Sequence, residues 1–274
     1  MRTVTPSDRR PFAFGCQFKF DQIEGDTNMK TILPLLAMAV ALGTALPARA
    51  AVKTVVLVHG AFADGSGWKP VADILQRRGY DVRIVQQPLT TFEADLAAVR
   101  RVLEKAGPCV LVGHSYGGML ITELGGHASV KALVYVAAFL PDVGESAGGL
   151  NSNPPPAGKS VGPVGDGFVA INPDAFPNDF AADLPKPLAR FMAISQVPIA
   201  ADIFGAKITT AAWKDKPSYA VIPKQDRSIN PDLHRMMTKR ANAQTIELPG
   251  SHAVFISRAK EVAALIDKAA KAAK

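Results

Sequence analysis

The sequence predicts an α/β fold: a mostly parallel sheet of about six strands flanked by helices, with an inserted lid. Three observations carry that expectation. From residue 54 onward, short β-branched runs alternate with stretches of helical spacing, and repeated β-α-β units of this length require a parallel sheet with right-handed crossovers. The rhythm breaks across residues 141–217, which are rich in proline and glycine and include Pro154-Pro155-Pro156. It then resumes. An interruption of that size between strands of one sheet is too long for a loop, and it reads as a lid over the sheet edge where ligands of such folds bind.

Residues 54–58 read Thr-Val-Val-Leu-Val, a continuous apolar run of the kind buried on both faces of a sheet. Trp68, Val71, Ala72, Ile74 and Leu75 recur at helical spacing and predict a helix over 68–78, stopped by Gly79. A strand over 81–85 follows, then a helix over 92–106 with Leu96, Val99 and Leu103 on one face and Gly107-Pro108 as its stop. Residues 110–112 are the third strand, 119–125 a short helix and 132–137 the fourth strand. Within the interruption only stretches such as 188–195 have helical character. Beyond it come strands over 219–222 and 245–248 and helices over 231–241 and 259–273. The core is therefore expected over 51–140 and 218–274, with 141–217 inserted.

The chain has 274 residues, 48% hydrophobic and 20% charged, with a formal net charge of +7. That composition supports a full core and excludes disordered, collagen-like and coiled-coil classes. The basic excess is dispersed rather than gathered into a run, which argues against a nucleic-acid partner. Met29-Lys30, an uncharged stretch over 31–46 and Pro47-Ala48-Arg49-Ala50 give the basic start, apolar run and small-x-small ending of a signal peptide. The run falls short of the roughly 20 residues a spanning helix needs. Residues 29–50 are thus expected to be a signal peptide, 1–28 an upstream extension outside the natural product, and the mature protein periplasmic or secreted with no stable membrane span. Cys109 would then be the one remaining cysteine, which rules out an internal disulfide. Lying in Pro108-Cys109-Val110-Leu111-Val112, it reads as a small buried hydrophobe.

The chemistry is signalled by Gly113-His114-Ser115-Tyr116-Gly117-Gly118, placed between a buried strand and a helix. A Gly-x-Ser-x-Gly turn in that context holds the serine in a strained conformation with its hydroxyl exposed at the sheet edge, and the helix N-terminus favours negative charge developing there. The hydroxyl needs a base, for which histidine is suited near neutrality. The histidines are His59, His114, His127, His234 and His252. His252 lies in Pro249-Gly250-Ser251-His252-Ala253-Val254, after the last strand and before the last helix, at the same sheet edge as Ser115. His234, mid-helix beside Arg235 and near Lys239, reads as solvated. His127 reads as a surface residue, His114 as packed or locally bonded within the turn, and His59 as bonding the backbone of its own loop.

An acid must fix the imidazole tautomer. Asp226, in Ile222-Pro223-Lys224-Gln225-Asp226-Arg227, follows the strand before that of His252 and is favoured. Asp142, in Leu140-Pro141-Asp142, is the rival, whereas Asp215 precedes its strand and falls at the wrong edge. Two backbone amides should face the developing oxyanion: that of Tyr116, after the nucleophile, and that of Ala61 in His59-Gly60-Ala61-Phe62. No Cys-x-x-Cys, His-Glu-x-x-His or Gly-x-Gly after the first strand is present, so no metal and no cofactor is expected. Phe168, Phe176, Phe180, Phe191, Met192, Ile199 and Phe204 in the insertion either line an apolar pocket or form the insertion's own core.

Val58-His59-Gly60-Ala61, the Ser115 turn, Gln225-Asp226-Arg227-Ser228-Ile229 and Gly250-Ser251-His252-Ala253-Val254 together resemble the α/β-hydrolase superfamily. Within it the chain is similar to bacterial esterases related to the plant methylesterase and hydroxynitrile-lyase branch, which share the loop that runs here from Gly60 to Trp68. The resemblance implies an α/β-hydrolase fold, a triad of Ser115, Asp226 and His252, and a carboxylesterase that acts on a small ester through an acyl-enzyme. Lyases of that branch carry a threonine where this chain has Gly60 and a lysine where it has Ala253, so the departures favour ester hydrolysis. Ser115 replaces the aspartate that the superfamily's dehalogenases and epoxide hydrolases use. Lyase, thioesterase, amidase or perhydrolase chemistry on the same triad, or a ligand-binding protein of this fold, are the alternatives. If the export reading holds, N-terminal sequencing of the exported protein gives Ala51-Val52-Lys53, whereas a start at Met1 refutes it.

Overall fold

The computed structural model describes residues 52–273; the expected segments 1–28 and 29–50 lie outside the described residues. The strands are β1 (Thr54–Val58), β2 (Asp81–Val85), β3 (Cys109–His114), β4 (Val130–Val136), β5 (Val161–Gly165), β6 (Phe168–Ile171), β7 (Ile199–Ala200), β8 (Ser218–Pro223) and β9 (Gln244–Leu248). The helices are α1 (Lys69–Arg77), α2 (Phe92–Leu103), α3 (Gly117–Leu124), α4 (Ala147–Leu150), α5 (Phe176–Asp179), α6 (Lys186–Ser195), α7 (Pro231–Arg240), α8 (Val254–Ser257) and α9 (Ala259–Ala272). Six strands form one sheet in the order β2-β1-β3-β4-β8-β9, and every neighbouring pair in it is parallel. The expectation of a mostly parallel sheet is thus met by a wholly parallel one. Antiparallel pairing is confined to the three-stranded sheet β5-β6-β7 inside residues 141–217.

Burial follows position in the sheet. Central β3 is buried along its whole length, as expected of a strand covered by helices on both faces. The edge strands β2 and β9 carry exposed or half-buried residues at most positions. One face packs Val71, Leu75, Val262, Ile266 and Trp68 from α1, α9 and the turn before α1; the other packs Val99, Leu103, Met119, Leu120, Leu233 and Met237 from α2, α3 and α7.

Several boundaries differ from the sequence expectation for local reasons. A 3-10 turn over Gly65–Trp68, capped by the Asp64 carboxylate on the Ser66 amide at 2.6 Å, precedes α1, which takes Pro70 in its first turn. Helix α2 is capped by Thr91 on the Ala94 amide at 3.1 Å and ends at Leu103 rather than 106. Helix α3 starts at Gly117, not 119, because helix conformation begins immediately after the Ser115 turn. Helix α8 was not expected; it is a single turn tucked between the His252 loop and α9.

Registers bring the functional loops together. Gly113 lies opposite Val58 of β1 and Tyr135 of β4, and Pro223 opposite Leu248, so the loops after β1, β3, β4, β8 and β9 all leave the same edge. Residues 141–217 depart after β4 and return to β8, its hydrogen-bonded neighbour. The tightest packing is at the Ser115 turn, where a Cβ on Gly118 would sit 1.9 Å from the Phe139 carbonyl oxygen. Gly118→Ala should destabilise the fold by roughly 3 kcal/mol, at the upper end of overpacking costs. Exposed Gly126, where a Cβ meets nothing within 4 Å, is the control: thermal unfolding should show a large loss for the first variant and almost none for Gly126→Ala.

Candidate active site

Ser115 stands at the end of β3 with φ +53°, a left-handed conformation that costs a non-glycine residue of order 1–3 kcal/mol unless its surroundings impose it. They do so sterically. A Cβ at Gly113 would lie 2.7 Å from the Gly117 carbonyl oxygen, and one at Gly117 would lie 2.7 Å from the His59 carbonyl oxygen, so the strand, the turn and the β1 loop meet backbone to backbone. The Ser115 carbonyl accepts from the amides of Gly118 at 3.0 Å and Phe139 at 3.2 Å. Gly60 completes the contact: a Cβ there would lie 2.6 Å from Ser115 Cβ.

The structure brings His252 and Asp226 together. His252 Nδ1 donates to Asp226 Oδ2 at 2.8 Å, while Asp226 Oδ1 accepts from the amides of Ser228 at 2.8 Å and Ile229 at 3.0 Å. Burial alone would raise the Asp226 pKa. The neighbouring His252 and the hydrogen bonds from His234 and His252 outweigh it and hold the carboxyl well below the usual carboxylate range. With Nδ1 committed to Asp226, Nε2 is the imidazole nitrogen left for Ser115. Both residues line one cavity, and no Ser115–His252 hydrogen bond is present. The rival Asp142 is partly exposed and pairs with Lys214 at 2.5 Å.

His234 is a correction. Expected to be solvated, it is 1% exposed and its Nε2 lies 3.1 Å from Asp226 Oδ2. The basic residue next to it in sequence, Arg235, points elsewhere, to Asp232 and Glu247, because helical spacing puts consecutive residues on different faces. His114 also reaches further than its turn: its Nε2 donates to the His252 carbonyl at 3.0 Å. Burial, reinforced by the nearby His252, pushes the His114 pKa down. The His252 ring packs against those of His114 and Phe180, with centroids 4.7 and 4.9 Å away, and those two rings also touch at 6.0 Å. His59 bonds its own loop, with Nδ1 on the Gly60 carbonyl at 2.9 Å. His127 is half-buried and bonds Ser129 Oγ at 2.8 Å. Cys109 is buried, and burial raises its thiol pKa.

A pair missed by sequence reading lies behind the turn. Asp95, fully buried in α2, accepts from the Tyr116 hydroxyl at 2.8 Å and the Leu89 amide at 2.8 Å. Burial raises its pKa, and these two bonds partly offset that. The only sequence signal was an acid on the otherwise apolar side of α2.

The cavity above Ser115 and His252 measures about 430 Å³, within the range of small-ligand sites. Ala61, Phe62, Phe139, Phe180, Phe204 and Ile229 give it apolar walls, and Asn151, Ser160, Asp179 and Arg227 a polar side. The seven apolar residues singled out in the insertion divide. Phe180 and Phe204 line the cavity, Phe176 and Ile199 are fully buried, Phe191 and Met192 border a separate groove, and Phe168 is half-buried. Among the described residues no three histidine, cysteine or acidic groups converge as a metal site, and no helix is long and apolar enough to cross a membrane.

With this geometry in hand, the chain is placed by its relatives: it belongs to the alpha/beta hydrolase family, which it matches over residues 55–265. It is 34% identical over 106 residues to a carbendazim hydrolyzing esterase of Nocardioides sp. (strain SG-4G), a match covering 33% of this chain and 44% of that protein. Among solved structures it is similar to a pyrethroid hydrolase, with TM-score 0.70 and 23% identity over 81% of this chain and 98% of the other. It is also similar to a methylesterase from Arabidopsis, with TM-score 0.66 and 18% identity over 80% and 98%. Both structural likenesses concern the fold.

The Asp95–Tyr116 pair leads to a stability prediction. Asp95→Ala strands the Tyr116 hydroxyl and the Leu89 amide in the interior, and should cost about 2–4 kcal/mol. Denaturant unfolding of the variant against wild type measures it; an unchanged midpoint would show that the pair contributes nothing.

Proposed function

We propose that this chain is an exported serine ester hydrolase, most directly a carboxylesterase for a small ester, with Ser115, His252 and Asp226 as its triad. One observation carries the reading: a serine held in left-handed geometry shares a cavity with an imidazole whose far nitrogen is anchored 2.8 Å from a buried carboxylate. The names of the relatives, an esterase, a pyrethroid hydrolase and a methylesterase, support the ester as substrate. The signal-like segment of residues 29–50 supports export, and residues 141–217 act as the lid.

In this mechanism Ser115 Oγ attacks the ester carbonyl while His252 Nε2 takes its proton. Asp226 holds the Nδ1–H tautomer and stabilises the imidazolium that forms. The carbonyl oxygen becomes an oxyanion facing the amides of Ala61 and Tyr116, each worth about 3 kcal/mol in the transition state. His252 returns the proton to the departing alcohol, leaving an acyl-enzyme. Water then attacks, its proton taken by the same nitrogen, and the acid leaves as Ser115 regains its hydrogen. The crowding at Gly60 bears on the lyase alternative. A threonine there would drive its Cβ into Ser115, so a hydroxyl cannot be added at that point without moving the nucleophile.

Ser115→Ala should lower turnover of a p-nitrophenyl ester roughly ten-thousandfold or more, and Asp226→Asn roughly a thousandfold or more. Wild type should react with a fluorophosphonate label and Ser115→Ala should not. Wild-type turnover in the Ser115 variant refutes the assignment.

A further inference from the structure

The interior holds a second imidazole on the proposed triad acid. Asp226 Oδ2 faces His252 Nδ1 at 2.8 Å and His234 Nε2 at 3.1 Å, while Oδ1 faces the amides of Ser228 and Ile229. All four N–H groups point at one carboxylate that is 3% exposed. The two amides come from the chain immediately after Asp226 and the two imidazoles from separate elements, α7 and the loop after β9. His234 does not line the substrate cavity.

We propose that His234 is a positioning residue of the catalytic machinery, a fourth member that acts through Asp226; this rests on the serine-hydrolase reading above. Its partner atom is a carboxylate oxygen, so Nε2 carries the proton and donates it. That donation has two consequences. It fixes the carboxylate against rotation about its Cβ–Cγ bond, since each oxygen is now held from a different direction. It also draws electron density from Oδ2, which keeps the shared proton on His252 Nδ1 and leaves Nε2 free to accept from Ser115. A neutral donor suffices for both tasks. A positively charged His234 would oppose the imidazolium that His252 becomes, so the useful form is the uncharged Nε2–H tautomer.

The placement follows from the chain. Asn230 caps the start of α7 on the Asp232 amide at 2.9 Å, Pro231 opens the helix, and His234 comes one turn later. Its side chain falls on the face that packs back toward the loop after β8, alongside buried Leu233, Met237 and Thr238. The helix is therefore anchored to the acid it follows by a contact eight residues away in sequence.

The test uses the full chain as wild type, His234→Leu and His234→Gln. Leucine removes the donor. Glutamine offers a neutral N–H at similar reach from the same backbone position. On p-nitrophenyl acetate, His234→Leu should lose roughly tenfold to hundredfold in kcat with KM within about threefold of wild type, because His234 makes no cavity contact, and His234→Gln should regain most of the loss. Nitrogen-15 histidine NMR should show His234 as the Nε2–H tautomer, and the His252 Nδ1–H resonance should move in His234→Leu. Full kcat in a folded His234→Leu protein, an equal loss in the glutamine variant, or an Nδ1–H tautomer at His234 would each overturn the proposal. A wild-type protein that neither hydrolyses esters nor takes a fluorophosphonate label defeats the serine-hydrolase reading instead, and the tautomer measurement then decides the positioning claim alone.

Discussion

The constraint on which the molecule depends is backbone contact at the end of β3. The strand must turn into α3 within two residues while running against the β1 loop on one side and the β4 loop on the other, and no side chain fits at Gly113, Gly117 or Gly118. Because those contacts are carbonyl to α-carbon, they cannot be relieved by a rotamer change. They hold Ser115 at a positive φ that it would not adopt alone, and they fix the distance between the serine and the loop that bears Ala61. The energy that keeps this turn strained comes from the sheet, whose two faces are both closed by packed helices.

Electrostatics divides the acids around this edge into three kinds. Asp226 is cut off from water and keeps its charge because donors surround it. Asp142 is partly in solvent beside Lys214, an arrangement that contributes little at a protein surface. Asp95 is a third case, buried with fewer donors and a raised pKa, where the carboxyl serves to tie α2 and the Leu89 loop to the ring of Tyr116. The same side chain chemistry thus serves three ends, and the number of N–H and O–H groups within reach decides which.

Much of this was legible in the sequence. The apolar runs of the inner strands were legible because a strand covered on both faces has few other compositions open to it, whereas the edge strands β2 and β9 were placed by the repeating alternation of strand and helix. The small residues of the Ser115 turn were readable because strict backbone geometry leaves narrow choices there, and the loops that carry Asp226 and His252 could be placed at the same sheet edge from the order of the strands. The interior role of His234 was hidden. Its basic neighbours suggested solvent, and only the rotation of α7 about its axis, which depends on Leu233 and Met237 packing into the core, turns it inward. Asp95 was hidden for the same reason. The antiparallel strands β5, β6 and β7 were missed because proline and glycine blur strand periodicity, and those strands are short.

Residues 141–217 begin and end on adjacent strands of the sheet, so the ladder between β4 and β8 runs unbroken beneath them. A lineage could therefore lengthen, shorten or replace that excursion while every rung of the sheet stayed paired. Phe180 and Phe204 belong to the excursion, whereas Ser115, Asp226 and His252 do not. Part of the cavity lining is in this way separable from Ser115, Asp226 and His252 and free to diverge at a different rate, while Ala61, Phe62, Phe139 and Ile229 stay with the sheet.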